Sequence, residues 1–328
     1  MTHFNPSWRK IADYLGIDLL VRKLNRIIKG QKQLDQQLAQ LNSASHGADK
    51  GTQINLALRY QELAKLGKIL PFDDVEFRNY SQFGEDGILH YVFSLIGTTN
   101  KLAVEICAGI GSECNSANLI IHHGWIALLI DGDEKNVEEG RQFFASHPDT
   151  KFSPPQFQQH WITRDNINTI IRDAGFAGDI DLLSLDMDGV DYWVWEAIDA
   201  ISPRVVILEV NAHMGEEALT VPYADDFTTQ WIRLEEKGDG PPDWSNKNVG
   251  QWTMYGGASL AAFNKLAKRK GYRLVGSNRF GVNAVFLRDD VGAGLFPEID
   301  ESMCYSQSTQ LDRDRGAKVL LQQDLVKV

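Results

Sequence analysis

Cysteine is scarce: Cys107, Cys114 and Cys304 are the three in 328 residues. Their odd count and scattered spacing exclude a disulfide framework or a zinc cluster and point to a reducing compartment. Long apolar runs are also missing. Nothing approaches the roughly 18 consecutive apolar residues of a membrane span, and the opening MTHFNPSWRK lacks the apolar centre of a signal peptide. The expectation is a cytoplasmic protein. Positive charge is in deficit as well, with 33 Lys and Arg against 44 Asp and Glu for a net −11, which argues against nucleic acid as a partner. The deficit is uneven. Residues 1–41 hold seven basic side chains (Arg9, Lys10, Arg22, Lys23, Arg26, Lys29 and Lys32) against three Asp, a local +4 that leaves −15 for the rest. Peripheral contact with an anionic membrane is therefore open to the N-terminus and closed to the body. What the chain does have is 43% hydrophobic and 10% aromatic residues, enough for a globular core.

Between residues 17 and 41, Ile17, Leu20, Leu24, Ile27, Leu34, Leu38 and Leu41 recur in alternating steps of three and four, with Gln31 filling one gap. That is a heptad seam, and it predicts a coiled-coil helix over 1–45 and a homo-oligomer built through it. A helix resting on its own subunit or on a membrane surface is the competing reading. The polar, glycine-bearing stretch 42–52 reads as a linker, leading into a linker-and-helix segment over 46–74. From about residue 75 short apolar runs alternate with amphipathic helical patterns. Strands are expected at 101–107, 125–131, 156–163, 180–186 and 204–210, followed by an insertion over 212–258, a helix at 259–270 stopped by Gly271, and closing strands at 272–276 and 283–288. Strand ends recurring every 20 to 35 residues predict βαβ units and a parallel sheet, closed by an antiparallel last strand because its connection is too short for a crossover helix. Residues 291–328 are a C-terminal extension to a 75–290 domain.

The first strand runs into Glu105-Ile106-Cys107-Ala108-Gly109-Ile110-Gly111, a turn in which Gly109 and Gly111 let a ligand approach the backbone. A dinucleotide fingerprint would place a third glycine where this chain has Cys114. A site for S-adenosylmethionine fits better, with Glu105 suited to the ammonium group of its amino-acid end. Strand two ends at Asp131, placed to accept the ribose hydroxyls, with Asp133 its neighbour. Asp165 is a candidate for the adenine amino group, or else Asp165 or Asn166 caps the next helix.

These residues resemble a known family. Ser81-Gln82-Phe83-Gly84-Glu85-Asp86-Gly87, the Val104–Gly111 turn, Gly124 to Asp133, Asp181 to Tyr192, Glu209-Val210-Asn211, and Gly271-Tyr272 with Asn283 to Phe286 are together similar to FkbM-like class I methyltransferases, bacterial proteins often found in surface-polysaccharide and glycan clusters. The resemblance spans about residues 75–290. It implies a Rossmann-like sheet of seven strands and binding of S-adenosylmethionine, and it leaves the acceptor open. Cys107 stands where the family usually has glycine, and Ile110 where it often has an acid.

Asp186 and Asp188 lie two apart at one strand end, and Glu209 and Asn211 two apart at the next, so alternation can aim each pair one way. Such oxygen donors suit Mg2+ or Mn2+ rather than zinc, and a similar set holds magnesium in catechol-type and macrocin-type O-methyltransferases. With or without metal, Asp186 is expected to act on the acceptor hydroxyl. His213 is the first candidate for general base, with His122 and His123 as alternatives. Ser81 and Gln82 are expected over the cofactor's methionine end, or Ser81 as a helix cap. The insertion carries Tyr223, Trp231, Trp244, Trp252 and Tyr255, suited to stacking on sugar rings, with at least half of them expected to pack a subdomain core. The resulting expectation is an O-methyltransferase acting on a hydroxyl of a glycan, nucleotide-sugar or lipid-linked sugar. Two alternatives stand beside it: a methyltransferase of small secondary metabolites, and a non-catalytic scaffold with a decayed methyltransferase fold.

Overall fold

The computed structural model describes residues 48–234, 252–305 and 307–328, with Lys23, Leu24, Arg26 and Gly30 before them. The chain divides into two units, Met1–Gly47 and Ala48–Val328. Apart from those four positions, the expected heptad seam lies outside the described residues.

The second unit opens with α1 (Lys50–Lys65), where Asp49 accepts the Thr52 N–H at 2.7 Å. The linker expected through residue 52 therefore ends earlier, because an aspartate cap starts the helix inside it. Next come α2 (Glu85–Ile96), β1 (Leu102–Ile106), α3 (Ala117–His123), β2 (Ile126–Asp131), α4 (Glu134–Ser146) and β3 (Gln156–Gln159). Then follow α5 (Ile167–Asp173), β4 (Gly178–Leu185), α6 (Asp191–Ala197) and β5 (Ile201–Glu209). The insertion adds three short strands, β6 (Leu219–Thr220), β7 (Gln230–Arg233) and β8 (Trp252–Tyr255). The chain closes with α7 (Leu260–Lys270), β9 (Tyr272–Ser277), β10 (Asn283–Arg288), α8 (Gln307–Leu320) and β11 (Val326–Lys327).

Seven strands form one sheet in the order β3-β2-β1-β4-β5-β10-β9. The first five are parallel, and β10 runs antiparallel to both β5 and β9. This is the Rossmann-like methyltransferase arrangement with its antiparallel last strand. Alternate residues of each strand enter opposite core layers: Val104, Ile106, Leu128 and Ile130 face one way, Ala103, Ala127 and Leu129 the other. Both faces are covered, which is why the strands read as unbroken apolar runs. Strand order reverses between β1 and β4, so the crevice beyond their carboxyl ends is the natural ligand site of the fold.

Strand boundaries shift by a few residues from expectation, as where β5 begins at Ile201 rather than 204, and two differences bear on the site. β3 ends at Gln159 rather than 163, because Thr163 and Asn166 exchange hydrogen bonds in a turn instead of continuing the ladder. The extension beyond 291 is not an appendage: β11 pairs with β6, and Gly316 of α8 is seated on His213. Among the described residues no helix is long and apolar enough to cross a membrane.

Candidate functional site

The turn after β1 bends sharply. Cys107, Gly109 and Gly111 have φ of 61°, 55° and 75°, in the left-handed region that favours glycine. Cys107 keeps that backbone conformation without being glycine. The two glycines serve different ends. A Cβ on Gly111 would stand 2.7 Å from the Phe144 ring of α4, so this glycine permits packing, whereas a Cβ on Gly109 would meet nothing within 4 Å. The backbone at Gly109 is thus open to a ligand.

Glu105 is buried, and its carboxylate accepts from Asn115 N at 2.7 Å, Ser116 N at 2.8 Å, Ser184 Oγ at 3.1 Å and the Ser116 hydroxyl. These four bonds tie the 115–116 loop to β1 and β4, and Glu105 also lines the small chamber along the turn. Asp131 differs. Its oxygens accept from Gly109 N at 2.9 Å, Asp133 N at 2.9 Å and Asn136 Nδ2 at 3.1 Å, which leaves one acceptor position. Asp133 caps α4 through Lys135 N at 2.7 Å, and the exposed Asp165 pairs with Arg164 at 3.7 Å. Neither has the enclosed setting expected of a cofactor ligand.

Ser81 is buried and reciprocates with Asp86: its hydroxyl accepts the Asp86 N–H at 3.0 Å, while Asp86 Oδ2 accepts the N–H groups of Asn79, Tyr80 and Ser81. Ser81 thus fastens the loop before α2 to its first turn, but the N-cap of that helix is Gly84, so the expected cap role falls to another residue. Gln82 does face the site, reaching Glu113 at 3.4 Å.

The acidic residues at the ends of β4 and β5 do converge. Asp186, Asp188 and Glu209 each place a carboxylate oxygen within 4.8 Å of the others. Loss of water and the charges of Asp188 and Asp191 push Asp186 up to about 7, although a hydrogen bond from Glu209 pulls the other way. Glu209 is raised further by burial and by the same acids. Asp191, one turn on, closes the loop by accepting from Met187 N at 2.7 Å and Gly189 N at 2.9 Å, and burial lifts it to about 6. Asn211, expected as a fourth ligand, is turned to other work: its Nδ2 donates to the carbonyls of Met254 and Gly256 at 2.7 and 2.9 Å, and its Oδ1 accepts the His213 N–H at 3.1 Å.

Two cavities meet here. A chamber of about 120 Å³ follows the turn and is lined by Cys107, Gly109, Ile110, Glu113 and Asn115. A larger one of about 530 Å³ is lined by Asp188, Glu209, His213, Trp231, Trp252 and Phe280. Gln82 and Asp186 belong to both walls. His213 lines the larger cavity with Nδ1 at 2.8 Å from Thr253 Oγ1. His122 and His123 lie elsewhere: His123 bonds Gln53 at 2.7 Å, with burial and the neighbouring His90 lowering it to about 4, and His122 lies against Tyr80. Neither histidine lines the two cavities. Of the insertion's aromatics, Trp231 and Trp252 face the larger cavity, while Tyr223 and Tyr255 pack against the core. Trp244 lies outside the described residues.

Sequence reasoning missed Glu113, Phe280 and Arg313, all of which line these cavities. Glu113 and Phe280 sit in loops without periodicity. Arg313 sits in a charge-rich helix whose only signal is the mid-helix Gly316, a residue that needs a packing reason.

No family model matches this chain, and no curated protein matches it. Solved structures similar to it include an S-adenosylmethionine-dependent methyltransferase from Clostridium acetobutylicum, at 14% identity over 71% of this chain and 96% of that one, TM-score 0.39. Others are the CcbJ methyltransferase from Streptomyces caelestis, at 14% identity over 66% and 96%, TM-score 0.39, and the N-terminal domain of EvdMO1 with SAH bound, at 13% identity over 71% and 95%, TM-score 0.40. All three scores lie below 0.5, so the strand order itself, rather than these likenesses, defines the fold.

Proposed function

We propose that the chain is an S-adenosylmethionine-dependent O-methyltransferase acting on a hydroxyl of a sugar, in a glycan, nucleotide-sugar or lipid-linked form. The observation that carries this reading is the wall shared by the two cavities: Asp186 borders both a chamber along an open glycine turn and a larger, aromatic-lined space. A group-transfer enzyme needs its acid–base residue where donor and acceptor meet.

The residues suit such a cofactor. Gly109 leaves the turn open, Asp131 keeps one acceptor position for a ribose hydroxyl, and Glu113 offers an exposed carboxylate to the ammonium beside Glu105. A space of about 120 Å³ is below the ~300 Å³ usual for a whole small-molecule site, so it suits the amino-acid end, with the adenosyl part lying outward along Gly109 and Ile110. When bound, the cofactor would supply an electrophilic methyl group, its S–CH3 bond breaking as the O–CH3 bond forms and S-adenosylhomocysteine leaving as a neutral thioether.

Asp186 accepts the proton of the acceptor hydroxyl as its oxygen attacks, and a carboxylate lifted to about 7 is well matched to that task at neutral pH. Trp231 and Trp252 supply faces on which a sugar ring stacks. Asp186, Asp188 and Glu209 would also hold Mg2+ or Mn2+, which would polarise the same hydroxyl. The test is methyl transfer from labelled cofactor to sugar nucleotides, sugar phosphates and polysaccharide fragments, beside calorimetry of the cofactor alone. Absence of cofactor binding at millimolar concentration would favour the scaffold reading instead.

A further inference from the structure

The acceptor-side cavity contains a cation that the proposed chemistry leaves without a task. Arg313 lies on α8 and lines the cavity together with Asp186, Asp188 and Glu209. Its guanidinium sits over the Tyr305 ring, 4.0 Å from the centroid, and its Nε is buried with no hydrogen-bond partner. Among the described residues no carboxylate oxygen lies within 4.0 Å of it, although three carboxylates border the same space. A long, flexible arginine would swing toward such acids if nothing held it. Stacking on Tyr305 holds it, and so does the seating of α8: Gly316, three residues on and so on the same helix face, is packed on His213.

The cavity is therefore polarised, with acids at the β4 and β5 ends and one guanidinium on the α8 side. The acids suit a hydroxyl about to lose a proton. A guanidinium fork, with donors in a plane and no acceptor, suits an oxyanion. In a chain of net charge −11, an anionic ligand needs a local cation to enter at all. We infer that the acceptor sugar carries a phosphate ester and that Arg313 binds it, holding the sugar so that its free hydroxyl reaches Asp186. This inference rests on the methyltransferase reading and narrows its acceptor to phosphorylated sugars. The phosphate can belong to a sugar phosphate or to a nucleotide-sugar, since the guanidinium contact is the same.

Calorimetry on the full chain with S-adenosylhomocysteine present tests it, using glucose 1-phosphate, UDP-glucose, glucuronate and glucose as probes. A phosphate-bearing probe is expected to bind, Arg313→Gln to weaken it about 10- to 100-fold, the loss of one charge-assisted contact, and Arg313→Lys to fall between. Binding of UDP-glucose alone assigns the nucleotide-linked source, and equal binding of both assigns the phosphate itself. No binding of either phosphate probe, equal affinity in Arg313→Gln, or a preference for glucuronate would overturn the inference. Unchanged S-adenosylhomocysteine affinity shows that the variant is folded. If that cofactor product binds and the phosphates do not, the acceptor inference fails and the methyltransferase reading stands. If it does not bind to wild type, the methyltransferase reading fails, and the phosphate titration still judges Arg313.

Discussion

A Cβ on Gly316 would stand 2.2 Å from Cγ of His213, so the C-terminal helix is seated directly on that ring. The contact ties the extension beyond residue 291 to the wall of the acceptor cavity. Gly→Ala inside a helix ordinarily stabilises by about 1 kcal/mol. Here the sign should reverse. Gly316→Ala is expected to cost about 1–3 kcal/mol through overpacking and to impair methyl transfer with cofactor affinity kept. Thermal denaturation checks this, and a raised melting temperature would show that the helix does not bear on His213.

Asp181 sits at the opposite end of β4, buried, and accepts from Arg204 at 2.8 Å and from the N–H groups of Thr99, Asn100 and Lys101 at 2.7–3.0 Å. Burial raises its pKa, but Arg204 and the three amides outweigh that and hold it below the ordinary aspartate range. A carboxylate whose folded pKa is depressed contributes stability above the unfolded value and loses it as pH falls through the folded one. Asp181→Asn should thus cost about 3–5 kcal/mol at pH 7, the usual cost of breaking a buried pair. The acid limb of the wild-type stability curve below about pH 4 should flatten in the variant. Cofactor binding should persist, because the site lies at the other edge of the sheet. Denaturant titrations from pH 3 to 8 would show this, and parallel wild-type and variant curves would contradict it.

Much of this was readable beforehand, and for definite reasons. Strands buried on both faces, such as Ala127–Ile130, announce themselves as apolar runs, and Ser259 and Gly271 bracket α7 as cap and stop. Asp186, Asp188 and Glu209 were legible because alternation and adjacent strands bring them together. Glu105 lines the chamber, but its partners, Asn115, Ser116 and Ser184, are loop and neighbouring-strand groups that no local pattern specifies. The hydrogen bonds of Asn211 were not legible either, since the carbonyls that take its amide lie 43 and 45 residues onward. Arg313 was invisible because only tertiary packing brings α8 to the cavity.

The acidic cluster separates mechanisms. Three carboxylates within 4.8 Å repel one another, so Asp186→Asn should raise the melting temperature of the ligand-free protein at pH 8 while abolishing methyl transfer. Glu209→Gln should behave likewise, and His213→Gln should lose less activity than either. Activity abolished by EDTA and restored by Mg2+ or Mn2+ assigns a metal role to the cluster, whereas full activity in EDTA leaves Asp186 as base. A destabilised Asp186→Asn with full activity would refute both.

Removing residues 1–47, the first of the two units, should lower the oligomeric state and leave cofactor binding intact. Light scattering decides, and an unchanged mass would mean that the heptad seam does not hold the assembly together.

The central claim, a cofactor site at the open turn after β1, is tested most directly by calorimetry of S-adenosylmethionine with wild type and Asp131→Ala. One site per chain is expected in wild type, weakened by about 1.5–3 kcal/mol in the variant, the loss of a charge-assisted hydrogen bond. Wild-type affinity in Asp131→Ala, or no binding to wild type at millimolar cofactor, would contradict the account.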